Sequence, residues 1–539
     1  MTTERRIAIY DTTLRDGAQG EGVSFSDAAK VRIARLLDDI GVDYIEGGFA
    51  ASNPRDMQFF RDIRSVPMQH ARVSAFGSTR HAGSSAAQDP GVRALLEADT
   101  PVVTIFGKSW MLHVRDVLRT TAEENLAMIE DTLRCAKAAG REVIYDAEHF
   151  FDGYRDNADY ALRTLQVARE AGADAIVLCD TNGGTLPWEV RDITQSVVRA
   201  WDIPVGIHTH NDADVAVAAA LEAVRAGATH VQGTINGFGE RTGNANLCSL
   251  LPNLALKMGY AVLKPGALKR LREVSQFVFE MADLRPWSRL PYVGDSAFAH
   301  KAGMHVDGVR KNRRSFEHVP PEEVGNERRI LVSELSGTSN VFLKAVELGL
   351  NVDRSTPEVR AVLKELERME KAGYQYEAAE ASFHLLVQKV LKSHRPFFTL
   401  EGFRVFVEKR LPQEPSISEA TIKVRVGQEV ESAVGEGAGP VDALNNALRR
   451  ALTRFYPAIA GVRLTDYRVR ILDPEEATAA KTRVLIESSD GASTWNTVGV
   501  SPNIIEASWE ALLDGVEYKL FKDEERAKKT GSRESGHHD

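Results

Sequence analysis

A chain of 539 residues exceeds one ordinary domain; at about 150 residues per domain it holds three or four, or fewer large ones. Its 43% hydrophobic and 27% charged residues exclude wholesale disorder, and a net charge of −9 without a long Lys/Arg block excludes a broadly basic face for nucleic acid or anionic membrane. The sequence has no run of about 18 apolar residues, and its three cysteines (Cys135, Cys179, Cys248) lack CxxC spacing and read as small buried hydrophobes.

In chain order, MTTERRIAIYDTTLRDG enters an acid-bearing strand rather than a signal-peptide core, so a cytoplasmic location is expected. Eight short apolar runs follow through roughly the first 265 residues: RIAIYDTTL, DYIEGGF, RVSAFG, PVVTIFGKS, EVIYDAEHF, AIVLCDTNG, PVGIHTHND and HVQGTINGFG. They recur about every 26 to 41 residues, room for one strand, one loop and one helix. The intervening DAAKVRIARLLDDIG, ADYALRTLQVAREAG and DVAVAAALEAVRAG carry apolar residues at helical spacing and end on glycine, which tolerates a left-handed exit. Eight βα units in a row predict a closed (β/α)8 TIM barrel over residues 1–275.

The polar residues collect at the strand ends. Asp11, Arg15 and Asp16 follow strand one, Glu46 lies at strand two, and Lys108 follows strand four. Glu148 ends strand five, Asp180 and Thr181 end strand six, His208 and His210 end strand seven, and Glu240, Arg241 and Asn244 follow strand eight. In a barrel all of these converge on one mouth. His208-Thr-His210 on a strand puts two imidazoles on one side, and with Asp16 and Asn244 nearby this predicts a divalent-metal site, for which Zn, Mn, Co or Mg all suit the N/O ligands. Arg15 beside it is suited to stabilising negative charge on a substrate oxygen, and Glu148 to orienting substrate or moving a proton.

The stretches DTTLRDGAQ, IHTHND and NGFGERTGNANL resemble the metal-dependent barrel enzymes that condense acetyl-CoA, the family of 2-isopropylmalate, homocitrate and citramalate synthases. FGKSW, DAEHFFDGY, LCDTNGG, AFAHKAGMHVDGV and VGNERRILVSELSG resemble the citramalate branch most. The resemblance implies that Asp16, His208, His210 and Asn244 hold the metal, and that Arg15, Glu148 and Thr181 meet a 2-oxo acid, with pyruvate expected. It implies acetyl-CoA as co-substrate and a proton-transfer role for His305, contributed from a partner subunit. Phe316, in SFEHVPPEEVG, stands where the family often carries a tyrosine, so no hydroxyl is present there to share a proton with His305.

Residues 276–395 read as linker subdomains, with an amphipathic helix in TPEVRAVLKELERMEKAGY and a basic cluster of Arg310, Lys311, Arg313 and Arg314 suited to solvent or to CoA phosphates. From 396 to 525 the pattern becomes βββα twice, AVGEGAGPVDAL being echoed by TVGVSPNIIEAS, so an α+β module built by duplication is expected. The resemblance makes it a regulatory and dimerisation domain that binds a branched-chain amino acid, in a homodimer. Helix starts after its glycine-rich turns are candidate carboxylate sites. Residues 526–539, with His537 and His538, read as a flexible polar tail. Three alternatives share parts of this pattern: a synthase for a larger 2-oxo acid, a retro-aldol lyase, and a non-catalytic amino-acid sensor. The C-terminal repeat and the lack of a reactive-cysteine loop near strand eight oppose the lyase, and the retained Arg15, Asp16, His208, His210 and Glu148 oppose the sensor.

Overall fold

In the computed structural model, eight parallel strands close into a barrel in chain order. They are β1 (Ala8–Asp11), β2 (Tyr44–Phe49), β3 (Arg72–Ser78), β4 (Val102–Lys108), β5 (Glu142–Glu148), β6 (Ala175–Asp180), β7 (Val205–Thr209) and β8 (His230–Gly233). Strand β1 closes the ring by pairing with β2 on one side, Tyr10 against Tyr44, and with β8 on the other, Ala8 against His230. The structure describes residues 5–52, 54–331, 357–391, 393–409, 413, 415–472 and 480–534.

Strand alternation explains two cores. Outward residues such as Ile9, Ile45, Val103 and Ile207 pack under the helices. Inward residues fill the barrel: Tyr10, Val102, Ile144 and Val177 form one buried layer, and Tyr10 stacks on Tyr44 with ring centroids 5.6 Å apart. Glycine ends the helix Asp27–Ile40 as expected, because Gly41 takes φ 90° and its N–H reaches the carbonyls of Leu37 and Asp38.

The chain forms two compact units. The first comprises Met1–Phe298 with Glu317–Arg328, and the second Ala299–Phe316 with Arg329–Asp539, so the stretch expected as one linker is divided between them. Within the second unit, β9 (Ala299–His300) pairs with β10 (Arg329–Ile330), followed by the helices Pro357–Ala372 and Glu380–Val390. The first of these is the amphipathic helix read from the sequence; of the motif VGNERRILVSELSG, residues 332–337 lie outside the described residues.

The duplication is plain in the second unit. Strands β11 (Thr399–Glu408), β12 (Ile417–Val426) and β13 (Glu429–Gly437) precede the helix Pro440–Thr453. Strands β14 (Arg463–Ile471), β15 (Thr482–Ser489) and β16 (Thr494–Ser501) precede the helix Ile504–Glu534. The first strand of each antiparallel sheet bulges near its start, between Leu400 and Gly402 and between Leu464 and Asp466. The two Val-Gly pairs of the echoed motif have one physical reason. A Cβ on Gly435 would fall 2.3 Å from the Ala447 nitrogen, and one on Gly499 would fall 2.0 Å from the Ala507 carbonyl oxygen. The last helix runs to Glu534, into the stretch read as a tail, while His537 and His538 lie outside the described residues.

Candidate active site

The loop after β1 is shaped by Asp11, whose two carboxyl oxygens accept the Thr13 N–H at 2.9 Å and its hydroxyl at 2.8 Å. That turn sets Arg15 and Asp16 at the mouth. Asp11 and Asp180 are therefore loop-building residues rather than cavity-facing ones; Asp180 is bound by the Thr185 hydroxyl at 2.6 Å and N–H at 3.1 Å. Burial pushes the Asp11 carboxyl up to about 7.

Asp16, His208 and His210 come together as buried groups, with one ligand atom from each within 4.8 Å of the others. His208 Nε2 lies 3.3 Å from Asp16 Oδ2 and 3.2 Å from His210 Nε2. Burial resists ionisation of Asp16, yet Arg15 at 3.3 Å and the neighbouring His208 outweigh it and hold the carboxyl well below its usual range. Burial, and then His208, push His210 down to about 3, so its ring stays neutral with a lone pair to offer. Asn244, paired by backbone with His210, is buried with neither side-chain amide atom hydrogen-bonded. Burial would lower His208, but the hydrogen bond and charge of Asp16 outweigh it and raise it, so a cation would displace that proton. One carboxylate, two imidazoles and an unengaged amide oxygen are a donor set that fits a divalent cation.

Arg15 is held three ways. Its Nε donates to Glu46 Oε2 at 2.5 Å, Nη1 meets Asp16, and the guanidinium carbon sits 3.8 Å over the Phe76 ring. Glu46 is fully buried and also accepts the Tyr10 hydroxyl at 2.7 Å. Lys108, the last residue of β4, forms an ion pair with Glu148, the last of β5. The Thr181 hydroxyl accepts the His149 N–H at 2.9 Å, and its carbonyl accepts Arg241 Nη2 at 2.8 Å. Arg15, Asp16, Glu148, Thr181, His208 and His210 all line one cavity of about 230 Å³, whose apolar wall is Phe49, Phe76 and Phe106. Phe76 stacks on Phe106 at 5.1 Å, and Phe49 meets both edge-on.

The sequence reading missed part of this site. Asp146 lines the cavity and Gln232 binds the back of His208. Asp146 stands two residues before Glu148 on one strand, and that parity was the available signal. Trp110, His113 and His149 form a further stack, with the His113 and His149 rings 4.2 Å apart. His305 belongs to the second unit, on the helix Gly303–Lys311, where its exposed ring stacks on Phe316 at 4.3 Å. In the same unit the basic cluster is exposed, with Lys311 paired to Asp307. At the helix start at Pro440 the chain's own Asp442 accepts the Ala438 N–H.

A parallel barrel with a carboxylate–imidazole–amide cluster and a buried arginine at its mouth defines a class: barrel enzymes that place their chemistry at the strand ends, here around a candidate metal site. Residues 6–278 match the HMGL-like family, 292–373 the homocitrate synthase post-HMGL domain-like family, and 377–520 the LeuA allosteric (dimerisation) domain. An (R)-citramalate synthase of Geobacter sulfurreducens is 52% identical over 96% of this chain and 98% of its own length. One of Aquifex aeolicus is 51% identical over 96% and 99%. A probable 2-isopropylmalate synthase of Methanopyrus kandleri is more distant, 33% identical over 95% and 98%. The chain belongs to the citramalate synthase family of HMGL-like acyl-condensing transferases. Among the described residues no helix is long and apolar enough to cross a membrane.

Proposed function

We propose that this chain condenses acetyl-CoA with pyruvate and water to give citramalate and CoA, with a divalent ion held by Asp16, His208, His210 and Asn244. The observation that carries the reading is the convergence of Asp16, His208 and His210 at a small cavity walled by three phenyl rings. When bound, the ion supplies a Lewis acid that polarises a ketone and offsets alkoxide charge. Arg15, pinned by Glu46 and Phe76, stabilises developing negative charge on the substrate oxygens. Glu148, tethered by Lys108, and Thr181 orient the oxo acid. Phe49, Phe76 and Phe106 leave room for a methyl group and oppose a branched side chain, which favours pyruvate over 2-oxoisovalerate. A base, assigned to His305 of a partner subunit, takes a methyl proton from acetyl-CoA. The enolate carbon attacks the ketone carbon, and water hydrolyses the thioester.

The LeuA-type module pairs two copies in this reading and binds a branched-chain amino acid, isoleucine for a citramalate route to isoleucine. The enzyme works in the cytoplasm. Thiol release from acetyl-CoA is measured with pyruvate, 2-oxoisovalerate and 2-oxoglutarate, after chelation and re-addition of Mn, Mg, Zn or Co, with and without isoleucine or leucine. Pyruvate is expected to win; a preference for 2-oxoisovalerate overturns the assignment.

A further inference from the structure

We infer that Gln232 and Asp146 are positioning residues that fix the tautomer and ring angle of His208 as a metal ligand. The inference rests on the reading above that Asp16, His208 and His210 hold a divalent ion. The β7–β8 register, Gly206 against His230 and Ile207 against Val231, brings His208 beside Gln232 inside the barrel. Gln232 is fully buried, its Oε1 2.8 Å from His208 Nδ1 and its Nε2 3.1 Å from Asp146 Oδ1.

A side-chain amide can be turned either way, and its partners decide which end faces which. The Asp146 oxygen accepts, so the –NH₂ end of Gln232 must face it. The carbonyl end then faces His208, and because a carbonyl only accepts, His208 Nδ1 must carry the proton. In the neutral ring Nε2 is left with the lone pair, and Nε2 is the atom beside Asp16 and His210. The competing tautomer would place an N–H on Nε2, donate it to Asp16 Oδ2 at 3.3 Å or His210 Nε2 at 3.2 Å, and tie up two ligands at once. Metal-binding histidines commonly have the other ring nitrogen held by an acceptor. Here the acceptor is a neutral amide whose direction is set by a carboxyl group from the far strand β5.

The test uses the full chain, stripped of metal by a chelator and titrated with Mn²⁺ by calorimetry, with unfolding midpoints as a check on folding. Wild type is expected to bind Mn²⁺ and His208→Ala to lose it; equal binding by the two would refute the underlying metal assignment and not the lock. Gln232→Leu is expected to weaken Mn²⁺ binding by about 10–100-fold. Unchanged affinity in that variant overturns the inference. The decisive comparison is a cycle that stands even if the leucine variant fails to fold. Asp146→Asn, which can face Gln232 with either an N–H or an oxygen, should weaken binding when residue 232 is Gln. It should have little effect in the Gln232→Glu background, where a carboxylate accepts from His208 without needing to be turned. An equal loss in both backgrounds would mean that Asp146 acts through its charge or its packing, and the lock would be refuted.

Discussion

Replacing Glu46 with glutamine isolates the charge that pins Arg15. In wild type the carboxylate accepts two donors, Tyr10 Oη at 2.7 Å and Arg15 Nε at 2.5 Å, while Tyr10 Oη lies 2.6 Å from Thr104 Oγ1. In Glu46→Gln the amide oxygen can serve Arg15 and the –NH₂ can donate to Tyr10, whose own proton then turns to Thr104, so no polar group is orphaned. What is lost is a full charge pair. At a charge separation of about 4 Å and an effective dielectric near 20, that is ~4 kcal/mol. Part returns because the amide needs no buried carboxylate solvation, and Asp16 still neutralises Arg15. The expected net loss is about 2 kcal/mol, below the ~3–5 kcal/mol of leaving a buried ion alone. Glu46→Ala, which strips both donors of their acceptor, should reach that larger range. Two readouts follow: the urea midpoint of the barrel, and kcat/KM for pyruvate, where about 2 kcal/mol corresponds to roughly 30-fold. A glutamine variant that unfolds at the wild-type midpoint and turns over pyruvate within about twofold of wild type would refute the claim that this charge holds the arginine in place.

Phe106→Ala removes part of the apolar wall, including the ring stacked on Phe76, and should raise the kcat/KM ratio of 2-oxoisovalerate to pyruvate by about tenfold or more; an unchanged ratio removes the wall from specificity. Asp89 caps the helix Pro90–Glu97, accepting the N–H groups of Gly91 and Val92 and both the N–H and the ring of His81. Burial would raise this carboxyl, but those donors win and bring it down to about 2. A depressed carboxyl stabilises the fold above its unfolded value and loses that contribution as pH falls through about 4 to 2. Asp89→Ala should cost about 0.5–2 kcal/mol at neutral pH, and its difference from wild type should narrow toward pH 2 in urea titrations. Phe316→Tyr adds a hydroxyl to the ring stacked on His305 and is expected to raise or preserve turnover; a large fall would show that the site needs an apolar edge there.

The barrel was legible because each strand is a short apolar run closed by a glycine or a polar turn, and because strand-end chemistry recurs at one phase of the repeat. Asp16, His208 and His210 were legible for the same reason: parity on a strand fixes the side, and a barrel fixes the end. Glu46, Asp146 and Gln232 were not, as roles. They lie inside strands, where a polar residue among apolar ones reads as ordinary alternation. Asp146 and Gln232 are 86 positions apart, and only closure of the ring brings them together. The repeat in the second unit was legible as a pattern, yet its glycines had a reason only once the helix backbones were seen against them.

The mouth is better understood as one electrostatic object than as separate residues. Asp16, Glu46, Asp146 and Glu148 gather around the cations Arg15 and Lys108. Burial, and then the nearby Glu46, push the Asp146 carboxyl up to about 7, against the Gln232 N–H that it accepts. Asp16 is held ionised because Arg15 faces it. That carboxylate lies on the side where the His208 and His210 rings also sit. The chain's overall −9 does not describe this mouth, where the ion pairs of Arg15 with Asp16 and Glu46, and of Lys108 with Glu148, set the local charge.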